Sequence, residues 1–307
     1  MKNDTIIKAS RLTKRYNDLV AVNGIDCEIS SGETFGFLGP NGAGKTTFMK
    51  MIYCFILPDG GTLEVDGLNV LDHPRKVKNI LGVVPQEDSL DPDISVRENL
   101  TVYGHYFDIP MTESGPRADE LIEMMSLTEK RDTIIEELSG GMKRRLMIIR
   151  GLINKPKILI LDEPTTGLDP QARHLVWQKL RLLKKSGITI LLTTHYMEEA
   201  AQLCDRLVMM HHGKIIARGS PPELVAEYIG KEVIEMTEPD ETLLAELPTL
   251  IEKGGFYEKA GDRLYIYSQN ADYYLNKIGT FKSKRIAKRA ANLEDVFLKL
   301  SGRGLVD

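Results

Sequence analysis

The sequence predicts an α/β domain with a buried, mostly parallel sheet, followed by a small α+β module. Three observations predict it. The runs "TFGFLG", "KILILDE" and "GITILLTTH" are continuously apolar before their polar ends, the pattern of strands covered on both faces by helices. Helix-spaced segments separate these runs, as crossover connections between parallel strands require. Beyond the composition break at "GSPPEL" the pattern becomes one of short strands and short helices.

Taken in order, residues 1 to about 30 ("IIKAS", "AVNGIDCEIS") alternate apolar and polar positions between turn signals and predict short antiparallel strands. "KTTFMKMIYCFIL" predicts a helix directly after the first buried strand, and "GTLEVDGLNV" a hairpin turning at Asp66-Gly67. From about 87 to 150 the pattern is helical, and in "SVRENL" Ser95 and Glu98 have capping-box spacing. "ARHLVWQKLRLLKKSG" is a further helix, and "DRLVMMHHGKIIARGS" a hairpin turning near Gly213. The pair His211-His212 reads as part of that turn, since no further metal ligands accompany it. The module then reads strand ("EVIEMT"), helix ("ETLLAEL"), hairpin ("FYEKAGDRLYIYS"), helix ("ADYYLNKIG"), strand ("KRIAKRA") and closing helix ("NLEDVFLKL"), with no catalytic motif.

Composition bounds the function. The 307 residues, 42% hydrophobic and 27% charged, suit one large and one smaller globular domain. A net charge of −4 gives no reason to expect a nucleic-acid partner. Cys27, Cys54 and Cys204 are odd in number and lack metal-ligand spacing, so they read as small buried apolar residues in a reducing compartment. The beginning "MKNDTIIKAS" has no apolar signal segment, and no stretch reaches the ~18 apolar residues of a membrane span. The chain is not expected to cross a membrane itself.

"GPNGAGKTT" at 39–47 carries the first chemistry. Gly39 to Thr46 fit the G-x-x-x-x-G-K-[ST] pattern between a strand and a helix. The loop of Gly39, Pro40, Asn41, Gly42, Ala43 and Gly44 would wrap a nucleotide's phosphates, with backbone N–H groups from every residue but Pro40 available as donors. Lys45 would bring a mobile charge to the β- and γ-phosphates, the Thr46 hydroxyl would suit Mg²⁺, and Thr47 continues the donor-rich helix start. A second feature belongs with it. In "ILILDEP" Asp162 ends a buried strand, placed to hold Mg²⁺, and Glu163 could orient or deprotonate an attacking water.

"LSGGM" at 138–142, directly upstream of "KRRLMIIRGLINKPKILILDEPTTGLDP", resembles the signature motif, Walker B and D-loop of ATP-binding-cassette (ABC) ATPases. Gln86 in "VVPQEDSL" is similar to that family's Q-loop, His195 in "LLTTH" to its H-loop, and Tyr16 to its adenine-stacking aromatic. The resemblance runs from residue 5 to about 220. It implies a P-loop NTPase ABC cassette over 1–220: a mixed sheet core, an antiparallel β subdomain and a helical subdomain at about 87–150. Residues 221–307 would form the accessory α+β module. The resemblance further implies that Gln86 reaches Mg²⁺ and the attacking water, and that His195 contacts the γ-phosphate and holds the geometry with Glu163. Ser139, Gly140 and Gly141 would bind ATP held by the opposite subunit, with Asp169 crossing the same interface. The implied assembly is a head-to-tail dimer around two ATP molecules, for which a homodimer is sufficient. Two positions depart from the commonest family pattern: Met142 replaces glutamine, and Thr166-Gly167 replaces Ser-Ala.

Without a membrane span, the chain would work on a separate integral membrane permease, peripheral to the cytoplasmic face of the cell membrane, with Gln86 to Leu138 as the docking region. "GVVPQEDSLDPDISVRENLTVYGHYF", "SGGMKRRL" and "ANLEDVFLKLSGR" resemble ATPases of ABC-2 export systems, including daunorubicin-type and nodulation lipo-oligosaccharide exporters. A drug, lipid or oligosaccharide-type cargo is the expectation. The alternative is a non-transport ABC ATPase acting on ribosomes or nucleic acid. Against it, the chain has one phosphate loop, and only 92 residues (46 to 137) separate Lys45 from Leu138, too few for a long inserted coiled coil. The run "KSKRIAKR" at 282–289 could touch anionic lipid or RNA, but reads better as a solvated strand face.

Overall fold

The computed structural model describes residues 5–251, 255–278, 281 and 283–301. The chain divides into a unit ending at Arg218 and a second unit beginning at Gly219.

The first unit begins with the strands Thr5–Tyr16 (β1) and Leu19–Ser30 (β2), each 12 residues long. They are longer than the short strands their alternation suggested. The pairing is kept over that length by register shifts, one of them at Arg11, whose φ is 49°. Next come Thr34–Leu38 (β3), Gly60–Val65 (β4), Leu68–Asn69 (β5), Leu81–Val84 (β6), Ile158–Asp162 (β7), Thr189–Thr194 (β8), Arg206–His211 (β9) and Lys214–Gly219 (β10). One antiparallel sheet has the order β2-β1-β4-β5 and the other sheet the order β10-β9-β3-β8-β7-β6. Within the second, β6, β7, β8, β3 and β9 are parallel neighbours, and β3, β7 and β8 are buried at every position. The core joins the two sheets through Ile7, Leu12, Phe37, Phe48, Met51 and Ile160.

Helix Lys45–Ile52 follows β3 and stops earlier than its apolar run suggested. Cys54 takes a left-handed backbone (φ 54°), and the Phe55 N–H turns back to the Lys50 carbonyl (2.9 Å), so the chain leaves the helix while still apolar. Helices Val96–His105, Met111–Met124 and Gly140–Arg150 make the predicted helical region, and Ser95 and Glu98 form the full capping box. Asp66-Gly67 and His212-Gly213 both turn with two positive φ angles, the geometry of a two-residue hairpin.

In the second unit the strands Glu232–Thr237 (β11), Phe256–Ala260 (β12), Arg263–Ser268 (β13) and Arg285–Ala290 (β14) form an antiparallel sheet ordered β12-β13-β11-β14. Ile234, Met236, Leu264 and Ile266 on one face pack with Leu243 and Leu247 of helix Glu241–Leu250 and Tyr274 and Ile278 of helix Ala271–Ile278. On the other face Phe256 stacks on Tyr267 at 4.3 Å, and Lys299 of helix Leu293–Ser301 lies 3.8 Å from the Phe256 ring. That helix packs on Pro221–Tyr228, a helix hidden inside the apparent break at "GSPPEL" and started by a Ser220–Glu223 capping box. Three basic side chains of the run pair with this unit's own carboxylates: Lys284 with Glu238 (2.8 Å), Lys288 with Asp272 (2.7 Å) and Arg289 with the buried Asp295 (2.7 Å). Lys282 and Gly279 lie outside the described residues.

Candidate functional site

The strands of the parallel sheet end level. Leu38 pairs across from Thr194, and Asp162 from Thr193, so the glycine-rich loop, both carboxylates and His195 open from one edge. The carboxyl edge of such a sheet is where open α/β folds hold ligands. Gly44 is the N-cap of helix Lys45–Ile52, with φ at 100° and no side-chain cap, so the first helical N–H groups point at the space inside the loop. A Cβ on Gly44 would collide with the carbonyl oxygen of Ala21 in β2. From the other side the Gly213 N–H donates to Ala43 (3.1 Å), while the Asn23 N–H donates to the Gly213 carbonyl (2.9 Å). The loop is clamped between a strand and the His212-Gly213 turn.

Inside it, the buried Lys45 ammonium donates to the carbonyls of Gly39 (2.8 Å) and Pro40 (3.0 Å). Burial pulls its pKa below that of free lysine, opposed by the nearby Glu163 and Asp162 carboxylates. Thr46 donates its hydroxyl to Asp162 Oδ1 (3.1 Å), and Thr193 donates to the same oxygen. Glu163 stands in the left-handed region (φ 48°), a cost of about 1–3 kcal/mol that other contacts must offset. Its backbone N–H donates to the carbonyl and hydroxyl of Thr193, each at 3.1 Å. Its side chain is gripped from three directions: Gln86 Nε2 donates at 3.3 Å, Thr166 Oγ1 donates at 3.1 Å, and His195 Nδ1 lies 3.2 Å away. Lys45, Thr46, Gln86, Asp162, Glu163 and His195 are thus brought together. The cluster can bind phosphate, offers hard oxygen donors to a cation, and holds a carboxylate oriented for a water.

Ser139, Gly140, Gly141 and Asp169 line a different cleft of about 450 Å³, shared with Gly167 and Arg145. Exposed Ser139 caps helix Gly140–Arg150, accepting from the Met142 N–H (3.3 Å), so position 142 serves the cap through its backbone whatever its side chain. Asp169 caps helix Pro170–Lys185 through the Ala172 N–H (2.9 Å). Tyr16 touches neither cluster. It ends β1, 43% exposed, paired with Leu19 across the turn, with Lys14 Nζ 5.7 Å from its ring.

Sequence reasoning missed Thr193, Thr166 and Arg144. Two threonines closing an apolar strand were the signal for the first. For Arg144 it was a charge on the buried stripe of its helix, one turn before Ile148. Arg144 is 6% exposed and donates to four carbonyls: Pro164, Pro85 and Asp162 at 2.7 Å, and Glu163 at 3.0 Å. Burial lowers its pKa to about 10, against the pull of Glu199, Asp162, Asp88 and Glu163. His212 and Gly213, with φ of 47° and 73°, form the turn between β9 and β10. The three cysteines are free and buried.

The chain is 44% identical over 315 residues to a Nod factor export ATP-binding protein I of Ralstonia nicotianae, covering 98% of this chain and 95% of the relative. It belongs to the ATP-binding subunits of ABC transporters. The ABC transporter pattern matches residues 22–166 of the cassette, and that of the nodulation factor export protein NodI, C-terminal domain, matches 252–302. Among solved structures, cbiO1 from Clostridium perfringens, part of the ABC transporter complex cbiONQ, superposes with a TM-score of 0.68 at 32% identity, over 73% of this chain and 92% of that one. A dimeric ATP-binding cassette in a post-hydrolysis state, bound to ADP and Pi, superposes at 0.64 with 26% identity, over 70% and 98%. The fold is the ABC cassette, and the chain is an ATPase that binds adenine nucleotide and hydrolyses ATP to drive transport. Among the described residues no helix is long and apolar enough to cross a membrane.

Proposed function

We propose that this ATPase powers export through a separate membrane permease, as a homodimer peripheral to the cytoplasmic face of the membrane. Residues 1–220 are the nucleotide-binding domain and 221–307 an accessory module. The observation that carries the reading is the match of residues 252–302, outside the cassette, to the C-terminal domain of a nodulation factor export protein. Full-length relatives named for Nod factor export support a drug, lipid or oligosaccharide-type cargo, with Nod factor the first candidate. A groove of about 400 Å³ bordered by Pro85, Ser89, Val102, Tyr103, Tyr106 and Arg150 offers the permease a partly apolar seat, with Tyr106 79% exposed beside it.

Each residue then has a task. Gly39 to Thr47 wrap the phosphates, with Lys45 turning from the loop carbonyls to the β- and γ-phosphates. Tyr16 stacks on adenine. Thr46 and Asp162 fit Mg²⁺, which characteristically takes few protein oxygens and fills its shell with phosphate and water. Gln86 is the third residue assigned to it. Bound there, the ion would neutralise charge on the β- and γ-phosphate oxygens. Glu163 takes the proton of the attacking water, while His195, Gln86 and Thr166 fix the carboxylate that does so. Ser139, Gly140, Gly141 and Asp169 meet the partner subunit's nucleotide, because a capped helix start with exposed N–H groups suits phosphate.

Purification of the tagged full chain from detergent-solubilised membranes tests the reading. A polytopic membrane protein recovered in near-equal amount is expected. Ribosomal proteins or nucleic acid in its place would overturn the transport assignment and leave the ATPase chemistry standing.

A further inference from the structure

We infer that Arg144 is a positioning residue that couples the two ATP sites, linking the signature face of a subunit to the attack machinery of that same subunit. The inference rests on the proposed role of Ser139 at the partner's nucleotide, and adds the route by which contact there is felt at Glu163.

Three observations carry it. Ser139 and Arg144 belong to one helix: Ser139 caps it and Arg144 lies little more than a turn further on, so a displacement of the helix start moves the guanidinium as a rigid body. The guanidinium reaches out of the helical region into two segments of the sheet edge. Nη1 holds the carbonyl of Pro85, the residue before Gln86, while Nε and Nη2 hold the carbonyls of Asp162, Glu163 and Pro164. Both segments deliver side chains that meet, since Gln86 donates to Glu163 at 3.3 Å. One group therefore fixes the backbone under the base and the backbone under its amide partner.

The chemistry of the contact suits a connector. Among the described residues Arg144 forms no ion pair, and its hydrogen-bond acceptors are all carbonyls, so its planar fork reads orientation and not charge alone. It is buried, so these bonds do not exchange with solvent at low cost. Glu163 meanwhile sits in a left-handed backbone that the surrounding structure must maintain. Loss of the guanidinium removes a donor from three successive carbonyls, those of Asp162, Glu163 and Pro164. A shift of the Gly140–Arg150 helix would change the same bonds without breaking the chain's packing.

The test is a double-mutant cycle in the full-length protein with S139A, R144Q, R144K and S139A/R144Q. It measures ATP affinity, kcat, KM and the Hill coefficient of ATPase activity, with melting temperature as the control for folding. R144Q is expected to hold ATP affinity within about twofold and lose about 100-fold in kcat, the order of effect that a misplacement of roughly 1 Å carries. Its Hill coefficient should fall from about two, the number of sites, towards one. R144K, which keeps the charge but not the fork, should recover about 10-fold of that loss. Coupling predicts that S139A/R144Q loses far less than the product of the single losses. Multiplying losses, or R144Q with wild-type kcat and Hill coefficient, would overturn the inference while leaving the dimer reading intact. S139A without effect on turnover would bring down the dimer reading, and this inference with it. If neither Arg144 variant folds, hydrogen exchange decides: ATP should slow backbone exchange at Gln86–Glu87 and Glu163–Thr166 in the wild type and not in S139A. Equal slowing in both would refute the coupling.

Discussion

The two faces of the cassette are built in opposite ways. Around Lys45, Asp162 and Glu163 the polar groups are buried and already answered within the chain, Glu163 by Gln86, Thr166 and His195 together. Around Ser139 and Asp169 the groups are exposed, and the side-chain oxygens cap their own helices. The first face is shaped by what lies beneath it. The second is shaped to present helix N–H groups outward. Preorganised groups in a buried site serve chemistry, because they need no rearrangement as charge develops. Exposed helix starts serve recognition, because their donors remain available to something beyond the chain. On the proposed reading, the same polypeptide holds a finished catalytic half and a half that would act on a neighbour.

The largest expected effect breaks the first face at its base. Glu163→Gln keeps the size and one acceptor but cannot take a proton, so turnover should fall by about 10³-fold, within the range for a lost general base. ATP affinity should stay within about threefold, and size-exclusion chromatography should show a dimer that ATP now traps. A Glu163→Gln protein that still hydrolyses ATP readily would remove this carboxylate from the mechanism. Lys45→Ala comes next. Losing a buried charge-assisted donor should weaken ATP binding by about 1.5–3 kcal/mol, roughly 10- to 150-fold, by titration calorimetry. Because burial holds the Lys45 pKa below that of free lysine, affinity should decline on the alkaline side earlier than an exposed lysine would allow.

A smaller effect sharpens the second face. Asp169→Ala removes an N-cap and should cost about 1 kcal/mol of stability in denaturant unfolding. Asp169→Asn retains the cap, since asparagine accepts the same backbone N–H, and should unfold like the wild type. Any fall in ATPase rate common to both variants then reports the interface, not the cap. A normal rate in both would limit Asp169 to capping.

How far the sequence reveals this depends on the range of the forces involved. The glycine-rich loop and the Asp66-Gly67 and His212-Gly213 turns were legible because left-handed backbone demands particular residues locally. The capping box at Ser95 was legible for the same reason, and that at Ser220 was equally local but masked by two prolines that look like a break and in fact begin a helix. The early end of helix Lys45–Ile52 was not legible, since the chain stays apolar through Cys54 to Ile56 and the left-handed turn falls on a cysteine, which carries no turn signal. Nor was the order β12-β13-β11-β14, which depends on pairing between distant segments. The site residues followed the same rule. Lys45, Asp162 and Glu163 announce themselves through motifs, whereas Arg144 acts by reaching backbone from afar, and no local pattern records which carbonyls it will meet.

Thr166 offers the smallest and most discriminating test. It lies where the chain departs from the family's commoner D-loop, on the connection between the two faces, three residues from Glu163 and three from Asp169. Its hydroxyl donates to Glu163 Oε2 at 3.1 Å, beside the Gln86 amide on the same oxygen. Thr166→Ser keeps that donor and should hydrolyse ATP at the wild-type rate. Thr166→Val replaces it with a methyl of similar size, so the carboxylate keeps Gln86 and His195 but loses one of three restraints. A net hydrogen bond to a charged group is worth about 1.5–3 kcal/mol, and two remaining partners absorb much of the loss, leaving a fall in kcat of about 5-fold. KM should hardly move, because Thr166 touches the base and not the phosphate loop. If KM rises instead while kcat holds, Thr166 belongs to the nucleotide-binding side of the comparison, and the carboxylate is positioned by Gln86 and His195 alone.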